Sequence, residues 1–231
     1  MQFSTSSFAA GLVTLLLVGC VAGEKSVRPG VNKSFLNPKL DPGKLQKKFE
    51  GESREVFAHR HRIAAATNLA KGLAVADVGA GTGLFMDLFA KGVGREGVVY
   101  AVDISTKLIG FMNARIAKKG YSQVKTVLCS ERSVDLRDNS VDVAFVCDTY
   151  HHFEYPQSTL TSIRKALRQN GRLVIVDFER IPGKSRDWVL KHVRAGKEAV
   201  IKEIESAGFR LTGETKVKGL RENYLIHFAR N

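Results

Sequence analysis

Residues 75 to 83 read Val-Ala-Asp-Val-Gly-Ala-Gly-Thr-Gly, a short apolar run that carries an acid and then turns on three glycines. A strand buried on both faces, feeding a loop that lies against a ligand, has this pattern. A glycine lacks Cβ, so its backbone takes positive φ or comes closer to a bound molecule than a side chain allows. A second apolar run, Val98 to Val102, ends in Asp103. An acid at the tip of the second strand accepts hydrogen bonds from the two hydroxyls of a ribose. The two features together predict a nucleoside-containing cofactor.

Spacing narrows the cofactor. A dinucleotide fingerprint places glycines at its first, third and sixth positions, with a pyrophosphate on the helix N-terminus. Here the glycines are Gly79, Gly81 and Gly83, and the sixth position is Leu84. Asp77 before the turn, the tight Gly-x-Gly-x-Gly and Asp103 together resemble the first two motifs of the class I S-adenosylmethionine-dependent methyltransferases. The resemblance implies S-adenosylmethionine as cofactor. It places the turn Gly79-Ala80-Gly81-Thr82-Gly83 under the methionine portion, and Asp103, with Ile104 beside it, on the ribose.

The likeness continues downstream. Asp138-Asn139-Ser140-Val141-Asp142 followed by Val143 to Val146 is similar to the approach to the family's fourth strand, with Val141 where an aromatic is usual. Cys147-Asp148-Thr149-Tyr150-His151-His152-Phe153 follows, where small-molecule members carry a histidine segment facing the methyl group. The resemblance implies an adenine-binding slot at Ser130 or, one residue on, Glu131. Leu160 to Arg168 reads as an amphipathic helix closed by Asn170-Gly171 as a left-handed cap. Arg172 to Phe178 reads as the fifth strand. Lys197 to Ala207 reads as a helix ending at Gly208, with strands over Phe209 to Val217 and Tyr224 to Ala229.

The expected fold is α/β: a single Rossmann-like doubly wound sheet. The resemblance implies seven strands in the order 3-2-1-4-5-7-6, the last antiparallel. A chain of 231 residues, 44% of them hydrophobic, is long enough to bury one such core. Expected boundaries are a signal peptide or membrane anchor over 1–19, a tether over 20–43 and the methyltransferase domain over 44–231. Turn signals at Pro29-Gly30, Asn37-Pro38 and Asp41-Pro42-Gly43 mark the tether. From Lys44, the pattern Leu45, Phe49, Val56, Phe57 predicts a helix; the resemblance implies that it lids the cofactor, with Arg54 or Arg60 available to the cofactor's carboxylate.

Phe8 to Gly23 carries no charge, and Leu15-Leu16-Leu17-Val18-Gly19-Cys20 resembles a bacterial lipobox with Cys20 as the acylated residue. The stretch is shorter than the roughly 20 residues of a membrane span. The missing positive charge before it, and the seven Lys and Arg between Lys25 and Lys48, favour the alternative of an anchor facing the cytoplasm. Either way the chain is expected at a membrane. A net charge of +13 attracts anionic surfaces. No interleaved aromatics mark a site that stacks exposed bases, so a specific nucleic-acid partner is not expected.

Cys129 and Cys147 fall at the ends of strands three and four. Three strand spacings separate them by about 14 Å, too far for a disulfide, whose Cα atoms lie within about 7 Å. No Cys/His spacing points to a metal site. Methyl transfer mainly requires a nucleophile held in line, and a base where the nucleophile is protonated. His152, then His151 and Asp148, are the expected catalytic candidates; Asp148 also belongs with the cofactor set. The expected reaction is methyl transfer to a small or lipid-like acceptor, the overall flavour being that of the quinone methyltransferases. Two alternatives stay open: a non-catalytic cofactor-binding or interaction protein, and an NAD(P)-dependent oxidoreductase. The segment Glu179 to Gly196, with a short helix around Trp188, Val189, Leu190 and Val193, is the candidate acceptor-pocket insertion.

Overall fold

The computed structural model describes residues 23–51 and 54–231. The lipobox reading at Cys20 lies outside the described residues. The run before the glycine turn is a strand, β1 (Ala74–Val78), with all five residues buried. It lies in a parallel ladder between β2 (Val98–Asp103) and β4 (Val141–Cys147). With helices on both faces of the sheet, a central strand has no solvent side, so its sequence is nearly continuous in apolar residues. Asp77 is the exception, and it marks the site.

The sheet adds β3 (Val124–Leu128), β5 (Leu167–Phe178), β6 (Phe209–Glu214) and β7 (Asn223–Arg230). Its order is β3-β2-β1-β4-β5-β7-β6, with β7 antiparallel to both β5 and β6. Side chains alternate between two cores. Ala74, Ala76, Ala144, Val146, Leu173 and Ile175 join one. Val75, Val143, Phe145, Val174 and Val176 join the other, against Phe85, Met86 and Phe89. The two-residue period of each strand produces this division.

The helices are α1 (Pro42–Phe49), α2 (Glu55–Ala58), α3 (Arg60–Ala66), α4 (Met86–Val93), α5 (Thr106–Lys119), α6 (Pro156–Ala166), α7 (Asp187–His192) and α8 (Lys197–Ser206). The single helix expected from Lys44 through Phe57 is thus broken. α1 ends at Phe49, and Arg54 in extended conformation opens α2. No described helix is long and apolar enough to cross a membrane.

The end of α6 differs from expectation. The helix stops with Leu167 in an extended conformation, and Asn170 and Gly171 belong to β5. Gly171 is therefore not a left-handed cap. A Cβ there would lie 2.8 Å from the Arg168 carbonyl and 2.9 Å from Leu167 Cδ2. The glycine serves close approach at the point where β5 shifts register against β4.

The segment read as a tether runs across the fold. Glu24 accepts from the N–H groups of Gln157 (2.8 Å) and Ser158 (2.7 Å), two free donors in the first turn of α6. Gly30 N–H donates to Glu154 Oε2, and Asn32 Nδ2 donates to the His152 carbonyl.

Candidate cofactor and acceptor site

In this strand order the chain turns opposite ways after β1 and after β4, and ligands bind outside the carboxyl ends of such neighbouring strands. A cavity of about 890 Å³ lies there. Asp77, Gly79, Ala80, Gly81, Asp103, Ile104, Ser130, Glu131 and Asp148 all line it, as do His151 and His152. Gly83 does not. It is buried at φ +81°, and a Cβ there would face Met112 at 3.4 Å. Its place is the turn into α4.

The glycine loop is clamped to the end of β4. Gly79 sits at φ +74°, and an added Cβ would lie 2.2 Å from Thr149 Cγ2. Thr149 Oγ1 donates to the Gly79 carbonyl at 3.3 Å. At Gly81 an added Cβ would meet nothing nearer than the Phe49 ring at 3.8 Å. The backbone there is bare toward the cavity, with α1 passing over it. Glu50 holds this cover down, accepting from Thr82 Oγ1 and Arg115 Nη1.

Two buried acids face the cavity. Asp103 accepts from the N–H groups of Gly81 (2.8 Å) and Ser105 (2.9 Å). Burial nonetheless outweighs these bonds and raises its pKa to about 6. Asp77 is pushed up to about 7 by burial and by Asp103. A carboxylate buried without a basic neighbour suits a ligand that brings its own hydroxyl donors or positive charge.

These shifts set a pH dependence. Both folded-state values lie above the usual carboxylate value of 3.8, so the folded chain holds more protons than the unfolded one between about pH 4 and 7. Their contribution to stability therefore falls as pH rises through that window and levels off above it. Thermal unfolding of the ligand-free protein at pH 5 and pH 8 measures this. Asp77→Asn is expected to flatten the slope; an unchanged slope would contradict the assignment.

Asp148 follows β4 at φ +49°, a left-handed conformation uncommon for a residue with a side chain and frequent at functional sites. Its carboxylate pairs with Arg54 and accepts from Asn223 Nδ2 at 2.6 Å. Burial raises its pKa to about 6, with Arg54 pulling it down. Arg54 lines the cavity, whereas Arg60 donates to the Phe57 carbonyl.

Beyond Asp148, Tyr150–His152 form one 3₁₀ turn. Asp177 at the end of β5 anchors it, accepting from His151 N–H (3.0 Å) and bonding His151 Nδ1 (2.8 Å). Burial alone would lower the His151 pKa; the Asp177 carboxylate more than offsets this and raises it. His152 Nε2 meets His192 Nε2 at 3.2 Å. Burial, with His151 and His192 nearby, pushes the His152 pKa down to about 3. It is neutral at physiological pH and holds a proton weakly. Phe35, Phe153, Phe178 and Trp188 complete this part of the wall. The aromatics and histidines interlock edge-on, Phe178 with Trp188 at 4.9 Å and Phe35 with His152 at 5.2 Å between ring centroids.

His192, Asp177, Asn223 and Phe35 were not anticipated as site residues. Asp177 was visible as the acid at the tip of the fifth strand. The other three reach the cavity from distant segments, and no local motif marks them. Cys129 and Cys147, expected to be unpaired, are free thiols.

The donor set fits an adenosyl ligand: a ribose acid, a bare glycine loop and polar groups after β3. The family model described as "Methyltransferase domain" matches residues 69–224. The ubiquinone/menaquinone biosynthesis C-methyltransferase UbiE of Paraburkholderia phymatum is 29% identical over 117 residues, covering 51% of this chain and 48% of that protein. The UbiE of Burkholderia mallei is 28% identical over the same length and shares. The chain thus spans about half the length of the curated relatives it matches. A solved S-adenosylmethionine-dependent methyltransferase from Aquifex aeolicus superposes with a TM-score of 0.73 at 24% identity, covering 84% of this chain and 100% of that one. Geranyl diphosphate C-methyltransferase of Streptomyces coelicolor A3(2) gives 0.64 at 13% identity, covering 90% and 92%. At such identities the solved structures show a shared fold. The chain belongs to the methyltransferase-domain family, with S-adenosylmethionine as its cofactor.

Proposed function

We propose that this protein transfers the methyl group to a small, largely apolar acceptor held between Asp148 and the aromatic–histidine wall. The observation that carries this reading is the single cavity joining the cofactor residues to Phe35, Phe153, Phe178 and Trp188. Its volume of about 890 Å³ falls near the top of the roughly 300–1,000 Å³ typical of small-ligand sites, leaving room for an acceptor beside the cofactor. When bound, S-adenosylmethionine supplies an electrophilic methyl group on a sulfonium.

The residues of the chain then bind, orient and exclude water. Asp103 accepts from the ribose hydroxyls. Gly79 to Gly81 give the ligand an unobstructed backbone surface. Ser130 and Glu131 face the adenine. Arg54 and Asn223 hold Asp148 at the junction, and α1 with Phe35 closes the cavity from above. Positioning of this kind supplies much of the rate enhancement in a two-substrate reaction.

A lipid-like acceptor is supported by the names of the relatives, matched over about half their length, and by Trp188, which is 40% exposed and also lines the cavity. Transfer of labelled methyl from S-adenosylmethionine to a panel of apolar phenols, quinols and isoprenoids tests this. Trp188→Ala is expected to raise the acceptor KM several-fold with cofactor affinity unchanged. Preference for hydrophilic acceptors would overturn the reading. A membrane location is proposed on the net charge of +13 and the apolar segment ending at Cys20. Equal binding of the protein to neutral and anionic vesicles would remove the electrostatic part of that case.

A further inference from the structure

His151 and His152 follow β4, and His192 is the last residue of α7. One ring nitrogen of each lies within 4.8 Å of one ring nitrogen of each of the others. All three side chains line the cavity. His152 Nε2 and His192 Nε2 are 3.2 Å apart. Metal–nitrogen bonds of about 2.0–2.1 Å set two tetrahedral ligands about 3.3 Å apart, so this pair already has the required spacing. A hydrogen bond between two neutral imidazoles would account for the pair alone. It gives no reason for the third ring, which stands at the same point of the cavity wall.

His151 supplies the further clue. Its Nδ1 is bonded to Asp177, which leaves Nε2 as the nitrogen available to a ligand. A carboxylate that fixes the outer nitrogen of an imidazole is the usual support of a metal-bound histidine. We propose that His151, His152 and His192 form a three-nitrogen site for a divalent transition metal, with Asp177 orienting His151.

Imidazole nitrogens select zinc, cobalt, nickel, copper or iron over magnesium and calcium, which take oxygen ligands. The site needs neutral rings. Burial and mutual proximity lower the pKa values of His152 and His192, whereas Asp177 raises that of His151; the spacing of the three rings is what carries the site. Asp177 and Asp148 bring negative charge to the cluster. Arg28 opposes it, although its guanidinium is engaged by the carbonyls of Lys191 and His192. Three protein ligands leave a tetrahedral metal one open position. Because the three histidines line the cavity, a metal held there would offer that position to an anionic oxygen or sulfur of the acceptor. The three histidines are not legible as a site in sequence, because His192 stands apart from the His151-His152 pair by the whole of α6 and β5.

The test is a titration of the full-length chain, purified without a histidine tag and stripped with chelator, by Co²⁺ followed in the visible spectrum. One equivalent of nitrogen-ligated Co²⁺, displaced by Zn²⁺, is expected. His192→Ala, at a half-buried position, should weaken binding at least 100-fold. Asp177→Asn should weaken it about 10–100-fold. His61→Ala, at an exposed position, should leave it unchanged. S-adenosylmethionine binding, measured in parallel, reports that each protein is folded and keeps failure of this site distinct from failure of the cofactor site. Cofactor-competent wild-type protein that binds no Co²⁺ at micromolar concentration would overturn the proposal. So would metal binding that survives both His152→Ala and His192→Ala.

Discussion

Asp103→Ala is expected to weaken S-adenosylmethionine binding by about 100-fold, or about 2.7 kcal/mol. The ribose contact proposed for Asp103 would be a pair of hydrogen bonds to a charged acceptor, each contributing about 1.5–3 kcal/mol. Water entering the space left by the side chain recovers part of that. The effect on the fold is smaller because two changes oppose each other. The N–H groups of Gly81 and Ser105 lose their acceptor, at about 1–3 kcal/mol each when left unpaired. The chain also loses a buried acid whose pKa is already raised to about 6, which removes a desolvation cost. Calorimetric titration beside circular-dichroism melting separates the two readouts. Unchanged affinity in a folded variant would remove Asp103 from the site.

Gly79→Val is expected to be the most damaging single change in the glycine loop, through the backbone and through packing together. A side chain at φ +74° costs about 1–2 kcal/mol. The added Cβ would also lie within 2.2–2.8 Å of three Thr149 atoms, and overpacking of this kind costs about 1–3 kcal/mol more. The combined loss, about 2–5 kcal/mol, lowers the melting temperature of a chain this size by about 5–20 °C. A double-mutant cycle isolates the packing part. Gly79→Ala should be partly rescued by Thr149→Ala, which removes the two nearest atoms and leaves Thr149 Cβ at 2.8 Å and the backbone strain. Gly83→Ala lacks the collision, its nearest contact being 3.4 Å. If Gly79→Ala and Gly83→Ala cost the same, the clamp between the β1 loop and Thr149 has no energetic weight.

The parts of the fold visible in the sequence are those written in local patterns. The alternation of apolar runs and amphipathic segments predicted a parallel α/β sheet. Asp77, Gly79, Gly81 and Asp103 are set by steric and charge requirements at fixed offsets from strand ends, and they stand together around one cavity. The helix end at Leu167 was misplaced because Asn-Gly is also a capping signal, whereas here the pair serves a register shift in β5. The break between α1 and α2 was missed because Leu45, Phe49, Val56 and Phe57 keep an apolar pattern across it. The acceptor half was the least legible. Asn223 reaches Asp148 from β7, and His192 reaches His152 from α7. Such pairs exist only after the sheet has closed, so no spacing along the chain encodes them. Residues 24–43 carry turn signals that predict irregular backbone, but a turn signal does not say what the turn packs against. Glu24 and Asn32 find partners around α6 and His152.

Calorimetric titration of the full-length chain with S-adenosylmethionine, S-adenosylhomocysteine and NAD tests the central claim most directly. The account predicts one site for each adenosyl ligand, weakened about 100-fold by Asp103→Ala, and no binding of NAD, because Leu84 replaces the third fingerprint glycine. Folded protein that binds neither adenosyl ligand, or that binds NAD in their place, would contradict it.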